Sequence, residues 1–204
     1  MTNTFLFGPA DSKPTPRAVW NSSDFTDIDD RVRGGSSTSS MTIQEPRAGI
    51  DFSGFLDTKT LGGAGFASQA YSKNQRGFPG DVISKEKYSG LRLVIAQVPV
   101  KNVSSDQEQP GGGKCPVTKF VLNLKPFVPP MRPDGRREST VVYEYPFEAP
   151  KSLKEGVVAI LAEWNQFHAT YRGRPAKGAE PLDPSQVKEW SIMARSNFAV
   201  RKVV

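Results

Sequence analysis

Glycine and proline recur so often along this chain, 18 and 17 times in 204 residues, that few stretches are long enough for a stable helix. An interior glycine costs a helix about 1 kcal/mol and a proline about 3 kcal/mol, whereas short strands place both at their ends and bends. Between these breaks, apolar and polar residues alternate. Met41-Thr-Ile-Gln-Glu, Ile50-Asp-Phe-Ser-Gly-Phe, Tyr88 to Val98, Val117 to Leu124, Ser139 to Phe147 and Trp190 to Phe198 carry the period of two expected of half-buried strands. In the last of these, Trp190, Ile192 and Ala194 share one face and Ser191, Met193 and Arg195 the other. The expected fold is all-β: one domain over residues 20–204, preceded by an irregular, proline-rich arm over residues 1–19.

Four segments need separate treatment. Leu61 to Tyr71 holds Gly62, Gly63 and Gly65, too many glycines for a helix, and lacks the spacing of a phosphate loop; it reads as a strand that something approaches closely. Residues 101–115 are polar and glycine-rich, and read as a flexible insertion. The proline-rich run Pro126 to Glu138 closes a hairpin between two strands, and its tip carries Arg132, Arg136 and Arg137, either solvated or set to meet an anion or acidic partner. In residues 153–167, by contrast, Leu153, Val157, Val158, Ile160, Leu161, Trp164 and Phe167 recur at helical spacing. Further on, Asp183 and Pro184 match the cap and first position of a short helical turn.

Composition narrows the function classes. The net charge is +6, but bases and acids are interleaved without a run of like charges, which weighs against nucleic acid as a partner. A single Cys115 and a single His168 exclude an internal disulfide and a zinc site of Cys/His type within one chain; no metal or cofactor is expected. No apolar run reaches the roughly 20 residues of a membrane helix. The first nineteen residues have the features of neither a secretory signal nor a mitochondrial presequence, so the expected location is cytoplasmic.

The richest polar chemistry lies in Phe25 to Ser40, where Asp27, Asp29, Asp30, Arg31, Arg33, Gly34 and Gly35 precede a hydroxyl tract. The arginines compete with any cation for those carboxylates, and the spacing is not that of a calcium loop, so ion pairing is preferred over metal. Asp30, Tyr171 and His168 are the candidates for acid-base work. Gly62, Gly63, Phe66, Tyr171, Arg172, Arg174 and Arg195 complete the candidate binding set. The acids of the first block are expected to pair with Arg172, Arg174 or Arg195, with Gly34-Gly35 and Gly62-Gly63 as backbone hinges.

Three blocks taken together, FTDIDDRVRGGSSTSS (25–40), FSGFLDTKTLGGAGFASQ (52–69) and TYRGRPAKGAEPLDPSQVKEWSIMARSNF (170–198), resemble the complex I intermediate-associated protein 30 family. The resemblance implies a galactose-binding-like jelly roll, a β-sandwich of two antiparallel sheets with long loops. It also implies that 157–161 is a strand leading into an irregular Trp164-x-x-Phe167 turn, against the helical period. The chain departs from the family pattern in its 101–115 insertion and in an end, Arg201 to Val204, too short for the long final strand the family implies. The implied function is non-catalytic: assembly of respiratory complex I intermediates through protein contacts, which would place the protein in mitochondria. The alternative is a small-molecule site walled by Trp20, Trp164 and Trp190, binding an apolar or sugar-like metabolite and guiding an isomerisation or cyclisation. Both readings stand at this point.

Overall fold

The computed structural model describes residues 4, 6–8, 16, 18–43, 49–72, 77–78, 83–96, 117–134, 136–149 and 157–196. Its strands are β1 (Phe7–Gly8), β2 (Ala18–Val19), β3 (Phe25–Asp27), β4 (Thr38–Ile43), β5 (Ile50–Phe55), β6 (Phe66–Tyr71) and β7 (Gly90–Ala96) in the first half. The second half adds β8 (Lys119–Lys125), β9 (Val141–Glu148), β10 (Val157–Glu163), β11 (His168–Tyr171), β12 (Arg174–Pro175) and β13 (Glu189–Arg195). The fold is an all-β sandwich. The expectations for 101–115 and for the chain end beyond Ser196 lie outside the described residues.

One layer is a seven-stranded sheet in the order β12-β11-β9-β8-β13-β6-β3, antiparallel at every pairing. Its register explains its two faces. Phe25 lies across from Tyr71, Tyr71 from Trp190, Trp190 from Leu124 and Leu124 from Tyr143, so one face is a continuous apolar band. On the opposite face Asn123 lies between Ser191 and Glu144, and Glu144 across from His168. Three antiparallel or parallel pairs, β4-β5, β10-β7 and β1-β2, are separate from this sheet among the described residues. Leu91, Leu93 and Ala162 from β7 and β10 pack into the same core as Leu122, Leu124 and Trp190. Phe52 of β5 meets Phe120 of β8 edge to face at 6.2 Å. The described part of the arm is tied down too: Phe7 stacks on Trp20 at 4.8 Å and Ala18 donates to the Leu6 carbonyl.

Within the residues of helical period, 157–163 form strand β10, as the resemblance implies, while 153–156 lie outside the described residues. Val158, Ile160 and Ala162 of β10 face inward opposite Ile95, Leu93 and Leu91, while the outward Val157 and Leu161 are 65% and 52% exposed. Because both faces of this strand are apolar, its sequence lacks the alternation that would have marked it. A short 3-10 turn, Trp164–Gln166, follows, and Trp164 buries its ring while donating Nε1–H to the Tyr88 carbonyl at 2.6 Å.

Candidate functional site

Asp29 and Asp30 sit at the start of a 3-10 turn, Asp30–Arg33, closed by Gly34 at φ 84°. Both acids are buried, Asp30 completely. Such a carboxylate is tolerable only when its oxygens are saturated with donors. The hydroxyl tract supplies them. Ser37 donates to Asp30 through its amide at 2.9 Å and its hydroxyl at 2.6 Å, and the Phe66 amide adds a third bond at 3.1 Å. Ser39 does the same for Asp29, amide at 2.9 Å and hydroxyl at 2.6 Å, joined by the Ser68 amide at 2.9 Å. Two adjacent acids thus hold two alternate serines, Ser37 just before β4 and Ser39 within it, and through the backbone amides of β6 they tie β4 to the large sheet.

The network extends to residues without an obvious polar motif. The Asp57 amide donates to the Ser37 hydroxyl at 3.0 Å, and Gln69 Nε2 to the Ser39 hydroxyl at 3.0 Å. The Asp57 carboxylate turns back on its own chain to accept from the Lys59 amide at 2.8 Å. The Thr60 side chain and then the Lys59 amide hold its pKa below the ordinary carboxylate value. The glycines serve close approach and turns, not hinging. A Cβ on Gly35 would lie 2.3 Å from an Asp30 oxygen, and one on Gly65 1.9 Å from the Asp57 carbonyl oxygen. Gly62 and Gly63, at φ 63° and 98°, form the turn that brings the Gly63 amide to the Thr58 carbonyl.

The expected seam between the first acids and the last arginines does not form. Arg31 pairs locally with Asp27 and, at 3.4 Å, with Asp29, while Arg33 lies over the Phe66 ring at 5.2 Å. Arg195 reaches Glu144 at 2.8 Å on the polar face of the large sheet. Arg172 and Arg174 are exposed on the far edge, where Arg172 Nε donates to the Ser139 hydroxyl at 3.1 Å. Arg195 lies across from Phe66 on neighbouring strands, and Glu144 takes its guanidinium; for Arg172 and Arg174 strand order is the reason, since β11 and β6 are separated by β9, β8 and β13, four steps of about 4.8 Å or roughly 19 Å. That separation also scatters the acid-base candidates. Asp30 is sealed beneath Ser37, and His168 and Tyr171 project from opposite faces of β11.

Among the described residues the tryptophans belong to the core: Trp164 and Trp190 are buried in it and Trp20 packs against it. An open depression of about 340 Å³ lies instead over Asp27, Asp29, Arg31 and Val32, and its charged groups already pair with one another.

The opposite edge is differently built. Tyr171 and Arg174 pair across a two-residue turn in which Arg172 and Gly173 take φ 52° and 70°. Arg172 is the non-glycine residue at positive φ among the described residues, a conformation glycine or asparagine would adopt more cheaply. Its guanidinium also lies 5.5 Å from the centre of the Tyr171 ring. Beside this turn runs the 126–140 loop, joined to it by the Ser139 contact and closed on itself by a Thr140 hydroxyl bond to the Phe127 carbonyl at 3.4 Å. Phe127, Met131 and Tyr171 are 60%, 55% and 44% exposed. Sequence reasoning singled out the arginines here but not Phe127, Met131 or Ser139.

Fold and site together define an all-β sandwich with an internal acid-serine clamp at one end of its large sheet and an aromatic-arginine edge at the other. Residues 14–96 match the model of the Complex I intermediate-associated protein 30 family. An uncharacterized protein of Schizosaccharomyces pombe is 36% identical over 182 residues, covering 88% of this chain and 72% of that protein. The chain belongs to the Complex I intermediate-associated protein 30 family.

Proposed function

We propose that this chain is a non-catalytic binding module that helps assemble respiratory complex I intermediates through protein contacts at its aromatic-arginine edge. The observation that carries this reading is the exposure of Phe127, Met131 and Tyr171 beside Arg172 and Arg174. Aromatic residues, methionine and arginine are the types enriched at the centres of protein interfaces. The family's description points to complex I, and the basic character of the edge favours a partner whose apolar pocket is rimmed by acids. The dispersal of Asp30, His168 and Tyr171 supports binding over catalysis.

The test is retention of complex I subunits from detergent-solubilised mitochondria on the immobilised chain. The wild-type chain is expected to retain them. A Phe127→Ala, Tyr171→Ala, Arg172→Ala variant should lose at least about tenfold, since interface hot spots are each worth about 2 kcal/mol or more. Equal retention by the folded triple variant, or no complex I subunit retained by the wild type, would overturn the reading.

A further inference from the structure

We propose that Ser139 is a phosphoacceptor for a basophilic serine/threonine protein kinase and that Arg172 holds the phosphate once it is attached. Arg136-Arg137-Glu138-Ser139 places arginines three and two residues before the hydroxyl, a charge pattern that acidic kinase pockets select. All four residues are exposed and lie in neither helix nor strand, so the segment is open to a kinase cleft. Arg136 has no ion-pair partner among the described residues, its backbone amide being held by Asp134 at 3.1 Å. Arg137 pairs with the buried Glu189 at 3.1 Å, but Lys125 also binds that carboxylate at 2.5 Å. Arg137 can therefore turn to a kinase while Glu189 keeps a cation.

The receiving site is already in place. Arg172 Nε donates to the Ser139 hydroxyl at 3.1 Å, and its guanidinium lies 5.5 Å from the centre of the Tyr171 ring. In the transfer, Ser139 Oγ forms a bond to the γ-phosphorus of a nucleoside triphosphate. The bond from that phosphorus to the bridging oxygen breaks, the diphosphate leaves, and the hydroxyl proton passes to the kinase's base. The product carries nearly two negative charges at pH 7, and an arginine beside it forms charge-assisted hydrogen bonds. A consequence, which rests on the docking role of this edge, is that the phosphate masks Arg172 and repels an acid-rimmed partner.

The full-length chain, incubated with ATP and the purified catalytic subunit of a cyclic-AMP-dependent kinase, tests this without any docking partner. Peptide mapping by mass spectrometry should place one phosphate on Ser139. Ser139→Ala should abolish it, and Arg136→Ala should slow it at least about tenfold, the effect of losing one desolvated charge pair. The Arg172 Nε–H resonance should move downfield on phosphorylation of the wild type and stay put in Ser139→Ala. An unmodified protein, or phosphate added at Ser36, which follows Arg33 by three residues, in place of Ser139, overturns the acceptor assignment; a stationary Arg172 signal overturns the clamp. None of these outcomes depends on complex I subunits, and loss of their retention would leave the phosphorylation result unchanged.

Discussion

Removing the Ser37 hydroxyl takes one hydrogen bond from the fully buried Asp30 and leaves the Asp57 amide without its acceptor. Ser37→Ala should therefore cost about 2–4 kcal/mol, because an orphaned buried donor and a weakened buried carboxylate add. The neighbouring exposed Ser36→Ala should stay within about 0.5 kcal/mol. Urea midpoints at unchanged slope would measure both. Asp57 sets a pH dependence: its folded pKa lies below the ordinary 3.8. The stabilisation is present above the unfolded value and is lost as pH falls through the folded one. Acid titration of stability should be shallower in Asp57→Asn than in the wild type below about pH 4; parallel curves would refute the role given to its Thr60 and Lys59 contacts. At this scale the sequence was only half legible. Alternation puts Ser39 and Met41 on one side of β4, with Ser37 just before it, which could have been read from the tract, but that two carboxylates would meet those hydroxyls needed the turn at Gly34.

Among the elements, β6 depends most closely on a glycine at its entry. Gly65→Ala would drive a methyl into the Asp57 carbonyl and towards the Asp30 carboxylate, so a loss of about 1–3 kcal/mol is expected. Hydrogen exchange should show the loss first at the β3, β4 and β6 amides, leaving β8 and β9 protected. Uniform loss of protection would mean the clamp is not a local unit. The 119–125 and 141–148 hairpin was legible because one face of each strand is polar, with Glu144, Asn123 and Ser191 side by side. Residues 157–163 were not legible from period alone, because Val157 and Leu161 are apolar and outward. The short turn at Asp183 and Pro184 was read directly from local chemistry, and the Asp183 side chain does accept from the Ser185 amide at 2.9 Å.

For the whole molecule, alternation specified an all-β fold and the family resemblance a sandwich, but neither gave the order of the strands, and that order decides where function can reside. Pairing chemistry alone suggested that acids near the start should meet arginines near the end. In the sheet, β11 and β12 lie on one edge and β3 on the other, so Asp29 and Asp30 take serines and Arg172 takes Ser139, while Arg195, on β13 beside β6, is taken by Glu144. The acid-serine stretch that dominates the sequence is thus assigned to architecture, and the partner surface to the edge bearing Phe127 and Tyr171. The most direct measurement replaces Phe127 in one protein and the 43%-exposed Val32 of the acidic depression in another with a photo-crosslinking residue, and irradiates each with solubilised mitochondrial membranes. Crosslinks to complex I subunits from the Phe127 position and not from the Val32 position are predicted; crosslinks from Val32 alone would contradict the assignment.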